Sequence, residues 1–242
     1  MIKFESTEVS GWEAAIRGMR NPKNSWAKSD SYWTHIEDEE THQTANFEYF
    51  VGDNDLKLMK DLASGGSVHG KFLRWINVTV DITAPMYWWK EFETYRNVIA
   101  DNPFDIEMNS CSTMFKIMDK KFERSDFSFE LLGFDALNHL DRTIDMLNYY
   151  RRSYINWDTT PDHIKIANGW TEKKDIWWQI IQSLPMSYHQ KRTLKLNYAV
   201  LMDMYEYRRL HKLDEWRELG MWIEELPYSE IITDPVYEKK VK

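Results

Sequence analysis

Apolar and polar residues alternate most regularly over residues 76–82. Polar residues separate the four apolar ones of this segment, which are Ile76, Val78, Val80 and Ile82. This period of two predicts a half-buried β-strand. After Pro85 the apolar residues recur at the spacing of a helix, so we expect a helix over residues 85–96. The bulky side chains of this helix, Trp88 and Trp89 among them, are interpreted as core.

Helical spacing recurs in the rest of the chain. The clearest stripe lies in residues 135–155 and is formed by Leu137, Leu140, Ile144, Leu147, Tyr150 and Tyr154. Shorter helices are predicted over residues 11–19, 53–63 and 171–184, and two more over residues 188–225 with a break near His211.

The remaining segments predict less regular structure. Residues 1–9 alternate weakly and predict an edge strand. Residues 21–46 and 156–169 are rich in turn-forming residues and predict loops. His35 and His42 flank an acidic run in the first loop, where a metal site is the alternative to a solvated surface. The segment after Pro227 is predicted to fray.

Composition and charge narrow the classes of function. The chain has 242 residues, of which 43% are hydrophobic and 29% are charged, as in an ordinary globular protein. Its net charge of −8 argues against binding to duplex nucleic acid, although local arginines would suffice to hold a single nucleotide. Cys111 is the only cysteine, which excludes an intrachain disulfide. With neither a signal-like apolar segment nor a membrane-length one, we expect a cytoplasmic protein without membrane contact.

Several short segments share an order with known motifs. They are HGKFLRW (69–75), EFETYR (91–96), NSCSTM (109–114), LP (184–185), NYAVL (197–201) and EWR (215–217). In this order they resemble the motifs of the flavin-dependent thymidylate synthases. The family motifs are H-x-S-x-L-E-H, Q-x-x-R-H-R, N-E-x-S-x-R, L-P, N-x-R-x-L and E-I-R. The resemblance covers roughly residues 1–228.

The resemblance implies a fold, a reaction and partners. It implies a mixed α/β domain over residues 1–228, with one sheet and several long helices, and a tail over residues 229–242. The implied reaction is the reductive methylation of the uracil C5 of dUMP. It would use FAD as cofactor, with methylenetetrahydrofolate and NADPH as cosubstrates, in a homo-oligomer that is a tetramer in the family.

The resemblance also implies roles for single residues. Arg217 corresponds to the arginine beside the uracil and is the expected catalytic residue. The expected substrate-binding residues are Glu91, Ser110, Ser112 and Arg208. The expected cofactor-binding residues are His69, Arg96, Asn109 and Asn197. Taken alone, the small polar residues of NSCST suit either a phosphate or an ordinary helix N-cap.

The chain departs from the family at positions that bear on activity. Non-family residues stand at Thr94, Tyr95, Ser110, Met114 and Ala199, and three of these positions carry arginine in the family. Lys71, Arg74 and Lys116 are nearby cations that could replace the lost charge. Three hypotheses therefore remain, which are a divergent thymidylate synthase, an enzyme for another nucleotide or one-carbon donor, and a binding or assembly protein without catalysis.

Overall fold

The computed structural model describes residues 1–37, 44–98, 106–112 and 116–238. The strands are β1 (Lys3–Ser10), β2 (Tyr32–Glu37), β3 (Thr44–Phe50), β4 (Asn77–Pro85), β5 (Glu107–Ser110) and β6 (His189–Asn197). The helices are α1 (Trp12–Arg20), α2 (Asp53–Ser64), α3 (Met86–Val98), α4 (Phe134–Ile155), α5 (Asp162–Ala167), α6 (Lys173–Ser183), α7 (Tyr198–Arg208), α8 (Asp214–Glu224) and α9 (Glu230–Glu238). The predicted mixed α/β class with several long helices is confirmed.

The strands form two sheets. One has four strands in the order β1-β4-β6-β5, so that strands distant in the sequence are neighbours. The other is an antiparallel hairpin of β2 and β3, in which Tyr32 lies opposite Phe50 and Trp33 opposite Tyr49. These cross-strand aromatic pairs are the kind of contact that stabilises a two-stranded ribbon. The hairpin was not predicted, because residues 21–46 were expected to form a loop.

The chain divides into two compact units. The first consists of Met1–Lys3, Thr83–Phe92 and Asn109–Arg192, and the second of Phe4–Ile82, Glu93–Met108 and Thr193–Lys242. In the first unit, α4 packs against α6, and its core includes the buried side chains of Phe127, Leu147 and Ile180. The predicted stripe of α4 therefore faces a core.

The second unit has a core of its own. It includes Met59, Ile76, Tyr198, Trp216 and Ile231, each of which is almost completely buried. The predicted alternation along β4 is also confirmed. The side chains of even-numbered residues from 78 to 84 are buried, and the residues between them are half-buried.

Two predictions for the C-terminal part of the chain were wrong. Residues 189–197 form β6 rather than a helix, and buried Leu194 and Leu196 alternate there with exposed residues. Leu194 and Tyr198 are four residues apart in the sequence, which is the spacing of one helical turn. The strand was therefore predicted as the start of the helix that follows it. The segment predicted to fray after Pro227 contains α9, whose Ile231 and Ile232 pack on α2 and α7.

Other boundaries changed less. The predicted loop over residues 156–169 contains the short helix α5. The predicted helices over residues 11–19, 53–63, 85–96, 135–155 and 171–184 are confirmed as α1, α2, α3, α4 and α6. The break near His211 is also confirmed. The boundary between a domain over residues 1–228 and a tail stays a prediction.

The N-terminus of α2 is capped from a distant part of the sequence. The carboxylate of Asp30 accepts hydrogen bonds from the backbone N–H of Asn54 at 2.9 Å and of Asp55 at 3.1 Å. Gly52 precedes the helix, and a Cβ at this position would lie 2.3 Å from the Asp30 carboxyl carbon. The close approach of Asp30 therefore requires glycine at position 52.

A buried ion pair lies beside this cap. Arg20 Nε donates to Asp55 Oδ1 at 2.5 Å, and both side chains are almost completely buried. The other carboxylate oxygen of Asp55 accepts from the hydroxyls of Ser29 at 2.6 Å and Ser31 at 2.7 Å. One carboxylate thus joins α1, α2 and the segment between residues 29 and 31.

We expect Asp55→Asn to lower the free energy of unfolding by about 3–5 kcal/mol, because it leaves the buried Arg20 guanidinium without its counter-charge. Urea denaturation measures this change. The matched control is Asp234→Asn, which removes the exposed ion pair with Lys60 and should cost about 0–1 kcal/mol. Equal losses in the two variants would contradict the assigned role of Asp55.

The same variant should respond to pH in a defined direction. Burial by itself would raise the pKa of Asp55, but hydrogen bonds from Ser29, Ser31 and Arg20, together with the Arg20 charge, hold this pKa below its usual value of 3.8. The stabilisation is therefore complete well above pH 3.8 and is lost as the pH falls through the folded-state pKa. The stability difference between wild type and Asp55→Asn should shrink over that acidic range.

Candidate functional site

The second unit contains a cleft of about 1310 Å³. One wall is formed by α1 and residues 21–30, and the other by residues 68–75, with α2 contributing side chains between them. The wall of residues 29–31 is held in place by Asp55, as described above. Gly11 fixes the start of α1, since its φ is +95° and a Cβ there would lie 1.9 Å from the carbonyl oxygen of Trp75.

Apolar side chains line part of this cleft. Phe72 is buried, Leu58 and Leu62 are half-buried, and Val68 and Trp75 are mostly exposed. Trp75 is the most accessible aromatic residue of this lining, with 59% of its surface exposed to solvent. An exposed aromatic ring beside a cleft offers a flat surface on which a planar ligand can stack.

Positive charge dominates the polar part of the cleft. Its cationic side chains are Arg17, Arg20, Lys23, Lys28 and Lys71, and His69 lies among them. Arg20 is neutralised by Asp55. Among the described residues that line the cleft, Asp30 is the only acidic one, and its carboxylate already accepts two backbone hydrogen bonds. The field in the cleft therefore favours an anionic ligand.

His69, a predicted cofactor-binding residue, lies in this cleft. It is exposed and precedes the 3₁₀ helix Gly70–Trp75, and its side chain does not cap that helix. Its ring lies against Gly65, where a Cβ would be 3.1 Å from the nearest ring carbon. The sequence prediction therefore selected a residue that is accessible to a ligand.

The other residues predicted to contact the cofactor differ in their surroundings. Asn197 is 4% exposed, and its side-chain oxygen accepts a hydrogen bond from the backbone N–H of Val200 at 3.0 Å. It is thus the N-cap of α7. Arg96 belongs to α3, but its side chain lies outside the described part of the structure. Asn109 is an exposed residue of β5 in the first unit.

Arg208, predicted to bind substrate, is held by two aromatic residues. Its Nε donates to the Tyr95 hydroxyl at 2.6 Å, and its guanidinium carbon lies 4.9 Å from the centre of the Trp216 ring. The rings of Tyr95 and Trp216 are themselves 5.5 Å apart and are both buried. Tyr95 stands where the family motif has histidine. From the sequence, this position was treated only as a missing family residue, so the hydrogen bond to Arg208 was not predicted.

Arg217, the predicted catalytic residue, is an exposed residue in the first turns of α8. It pairs with Asp214, three residues before it, and donates to the His211 carbonyl oxygen at 3.2 Å. Arg217 follows Trp216 directly in the sequence, and the ring of Trp216 contacts Arg208.

Glu91, Ser110 and Ser112 belong to the first unit. Glu91 is half-buried on α3, whereas both serines are exposed. The expected turn at NSCST is partly wrong, because Asn109 and Ser110 end strand β5. The adjacent Cys111 N–H donates to the Lys191 carbonyl oxygen at 3.0 Å, and this pairing removes one of the donors expected for a phosphate.

The described residues offer neither a cluster of metal ligands nor a membrane-spanning helix. They contain no group of three or more His, Cys, Asp or Glu side chains placed to hold a metal ion. His42 and the acidic residues 38–40 lie outside the described residues, so the alternative of a metal site there is not addressed. Within the described ranges, no helix has both the length and the apolar character needed to cross a membrane.

Solved structures identify the class of fold, which is that of the flavin-dependent thymidylate synthases. One is flavin-dependent thymidylate synthase ThyX from Helicobacter pylori, complexed with FAD and dUMP. It matches with a TM-score of 0.61 and 14% identity over 96% of this chain and 98% of its own. A second structure of thymidylate synthase X from the same organism, with FAD and dUMP, has a TM-score of 0.59 and 14% identity over 98% and 99%.

Sequence comparisons add no closer relative. No protein-family model matches the chain, and no curated protein matches its sequence. The ThyX-like fold expected from the short motifs is therefore confirmed by structural similarity over nearly the whole chain. The roles of the individual motif residues stay predictions.

Tyr95→Phe should lower the free energy of unfolding by about 1–3 kcal/mol, because the phenol accepts a hydrogen bond from a charged guanidinium. The ring itself is retained, so the packing against Trp216 should persist. Tyr207→Phe, at an exposed tyrosine on the same helix as Arg208, is the control and should change stability by less than about 0.5 kcal/mol. Chemical denaturation compares the two, and a neutral Tyr95→Phe variant would contradict the assigned bond.

Proposed function

We propose that this chain is a flavin-dependent enzyme that methylates the uracil C5 of dUMP. The observation that carries the proposal is the similarity of nearly the whole chain to two structures that hold FAD and dUMP. In this proposal methylenetetrahydrofolate donates the one-carbon unit and NADPH supplies the electrons. The chain would act in the cytoplasm as a homotetramer, and a monodisperse monomer in light scattering would contradict the oligomer.

The chemistry of the cleft fits FAD. FAD combines two phosphates with flat ring systems, and the cleft combines several cations with the exposed indole of Trp75. Its volume of 1310 Å³ is ample for a ligand of this size. His69 would contact the cofactor from the cleft wall, and Arg96, Asn109 and Asn197 are proposed as further cofactor residues. When bound and reduced, the flavin supplies the electrons for the methylation.

Arg217 is proposed to stabilise negative charge that develops on the uracil ring during the reaction. A fixed cation at that position would favour the transition state over the substrate. Its present partner is Asp214, and both side chains are half exposed. Because an exposed ion pair contributes only about 0–1 kcal/mol, exchanging Asp214 for a substrate oxygen would cost little.

The nucleotide would be held by further residues. Glu91, Ser110 and Ser112 are proposed to contact the substrate, since polar and exposed or half-buried side chains can reach a ligand. Arg208 is proposed to contact the substrate as well. The hydrogen bond to Tyr95 and the contact with the Trp216 ring fix the orientation of the Arg208 guanidinium. This reduces the conformational entropy that the side chain loses when it binds an anion.

One observation favours a second hypothesis, in which the scaffold serves another nucleotide or has lost catalysis. Tyr95 occupies the position of a motif histidine, but its side chain is buried and bonded to Arg208. A residue whose hydroxyl is engaged within the fold contributes less to ligand binding. The motif positions at Thr94, Ser110, Met114 and Ala199 also lack the family residues.

Retention of FAD after incubation and desalting distinguishes these hypotheses. We expect a visible flavin absorption band that shifts when dUMP is added, because the flavin is proposed to supply the electrons for the methylation of that nucleotide. Other pyrimidine and purine nucleotides serve as controls for the shift. A retained flavin that responds only to another nucleotide would support a different substrate, and a colourless protein would support a scaffold that kept the fold and lost the flavin chemistry.

We expect Arg217→Ala to abolish turnover of dUMP while the far-ultraviolet circular dichroism and melting temperature stay close to those of the wild type. The reason is that Arg217 is exposed and its ion pair with Asp214 lies on the surface. Arg152→Ala, which removes an exposed arginine from α4, is the control and should leave turnover intact. Unchanged activity in Arg217→Ala would refute its catalytic role.

A further inference from the structure

We infer that the cationic side chains of the cleft bind the diphosphate group of a nucleotide, and that Trp75 stacks on a planar ring of the same ligand. The diphosphate would be held by Lys23 and Lys28, with Arg17 and Lys71 nearby. The inference deepens the proposed function and in that sense rests on it, because FAD contains such a group. The same chemistry is offered by a free nucleoside diphosphate and by NADPH.

The first reason is the number of cations and their uneven distribution. Four exposed cationic side chains line one cleft of a chain whose net charge is −8. They come from both walls, since Arg17, Lys23 and Lys28 belong to one wall and Lys71 to the other. An anion between the walls would be attracted from two sides. Four positive charges suit a group with two to three negative charges better than a single carboxylate.

The second reason is that these charges are not neutralised by the protein. Within the described ranges, no carboxylate forms an ion pair with Lys23, Lys28 or Lys71. Arg17 forms a long ion pair with Glu13, in which Nη1 lies 3.7 Å from the carboxylate and both side chains are exposed. Lysines that repel one another across a cleft gain most from a ligand that carries the opposite charge.

The third reason is that the cationic wall is fixed in position. Ser29 and Ser31 donate to the buried carboxylate of Asp55, and Arg20 Nη1 donates to the carbonyl oxygen of Ser25 at 3.2 Å. These bonds hold the backbone on both sides of Lys28. A fixed backbone loses less conformational entropy when a ligand binds, and so the available charge contributes more to affinity.

Trp75 is proposed to contact the planar ring of the ligand. It lies in the same cleft, and 59% of it is exposed. Stacking a nucleotide base on an aromatic side chain contributes about 1–3 kcal/mol. Half-buried Leu58 and Leu62 also line the cleft. Cationic side chains and a flat aromatic surface in one cleft are complementary to a diphosphate joined to a ring.

The test is a titration of the full-length protein with ADP, followed by calorimetry and by the tryptophan fluorescence. We expect saturable binding that weakens as salt is raised, and weaker binding of AMP and adenosine because they carry less charge. The variant Lys23→Ala/Lys28→Ala should weaken ADP binding at least tenfold. Trp75→Leu should weaken binding and reduce the fluorescence change.

A matched control separates the local charges from the total charge. Lys121→Ala/Lys174→Ala removes two exposed lysines of the other unit and changes the net charge equally. It should bind ADP like the wild type. Absence of ADP binding, or equal binding by the two double variants, would overturn the inference.

Titrations with FAD and NADPH identify the source of the diphosphate and separate the two proposals. If ADP binds through Lys23 and Lys28 but FAD is not retained, the inference stands and the proposed function fails. If FAD is retained equally by the wild type and by Lys23→Ala/Lys28→Ala, the function stands and the inference fails. Tighter binding of FAD than of ADP, lost in the double variant, would support both.

Discussion

The buried ion pair of Arg20 and Asp55 is the interaction on which the N-terminal part of the second unit depends. The pair joins α1 to α2, and the same carboxylate of Asp55 also accepts hydrogen bonds from the segment between residues 29 and 31. A carboxylate buried among apolar residues is unfavourable unless its oxygens are fully bonded, and here four donors bond them, one from α1 and three from the segment between residues 29 and 31. The pair therefore stabilises one arrangement of these segments and excludes looser ones. These segments contribute one wall of the cleft and the side chains of α2 that line it.

Much of the fold could be predicted from the sequence, because many elements have a local pattern that agrees with their final environment. β4 alternates and has one buried face, and α4 carries an apolar stripe that meets a core. The errors arose where the decisive contacts are distant in sequence. β6 is a strand because it pairs within the sheet, and α2 is capped by Asp30, which precedes it by more than twenty residues. Neither contact produces a recognisable pattern in a short segment of the sequence.

The candidate site was predictable to a smaller extent. His69 was found because it heads a recognisable motif, and it does line the cleft. Lys23 and Lys28 were passed over, since lysines in a polar segment rich in turn formers look like an ordinary solvated surface. Their common location becomes visible only when α1 and residues 68–75 face each other. The partnership of Tyr95 with Arg208 was equally hidden, because more than one hundred residues separate the two.

The helix α9 has a consequence for any shortened form of the protein. Charge and composition make residue 228 look like a natural end of the folded region, yet Ile231, Ile232 and Val236 are buried beyond it. Removing them would uncover apolar surface on α2 and α7 and leave it open to water. Such a chain would tend to aggregate, and its insolubility would be easily mistaken for a lack of intrinsic stability. Helix α9 thus covers part of the core, and the polar residues near it make this role hard to recognise from the sequence.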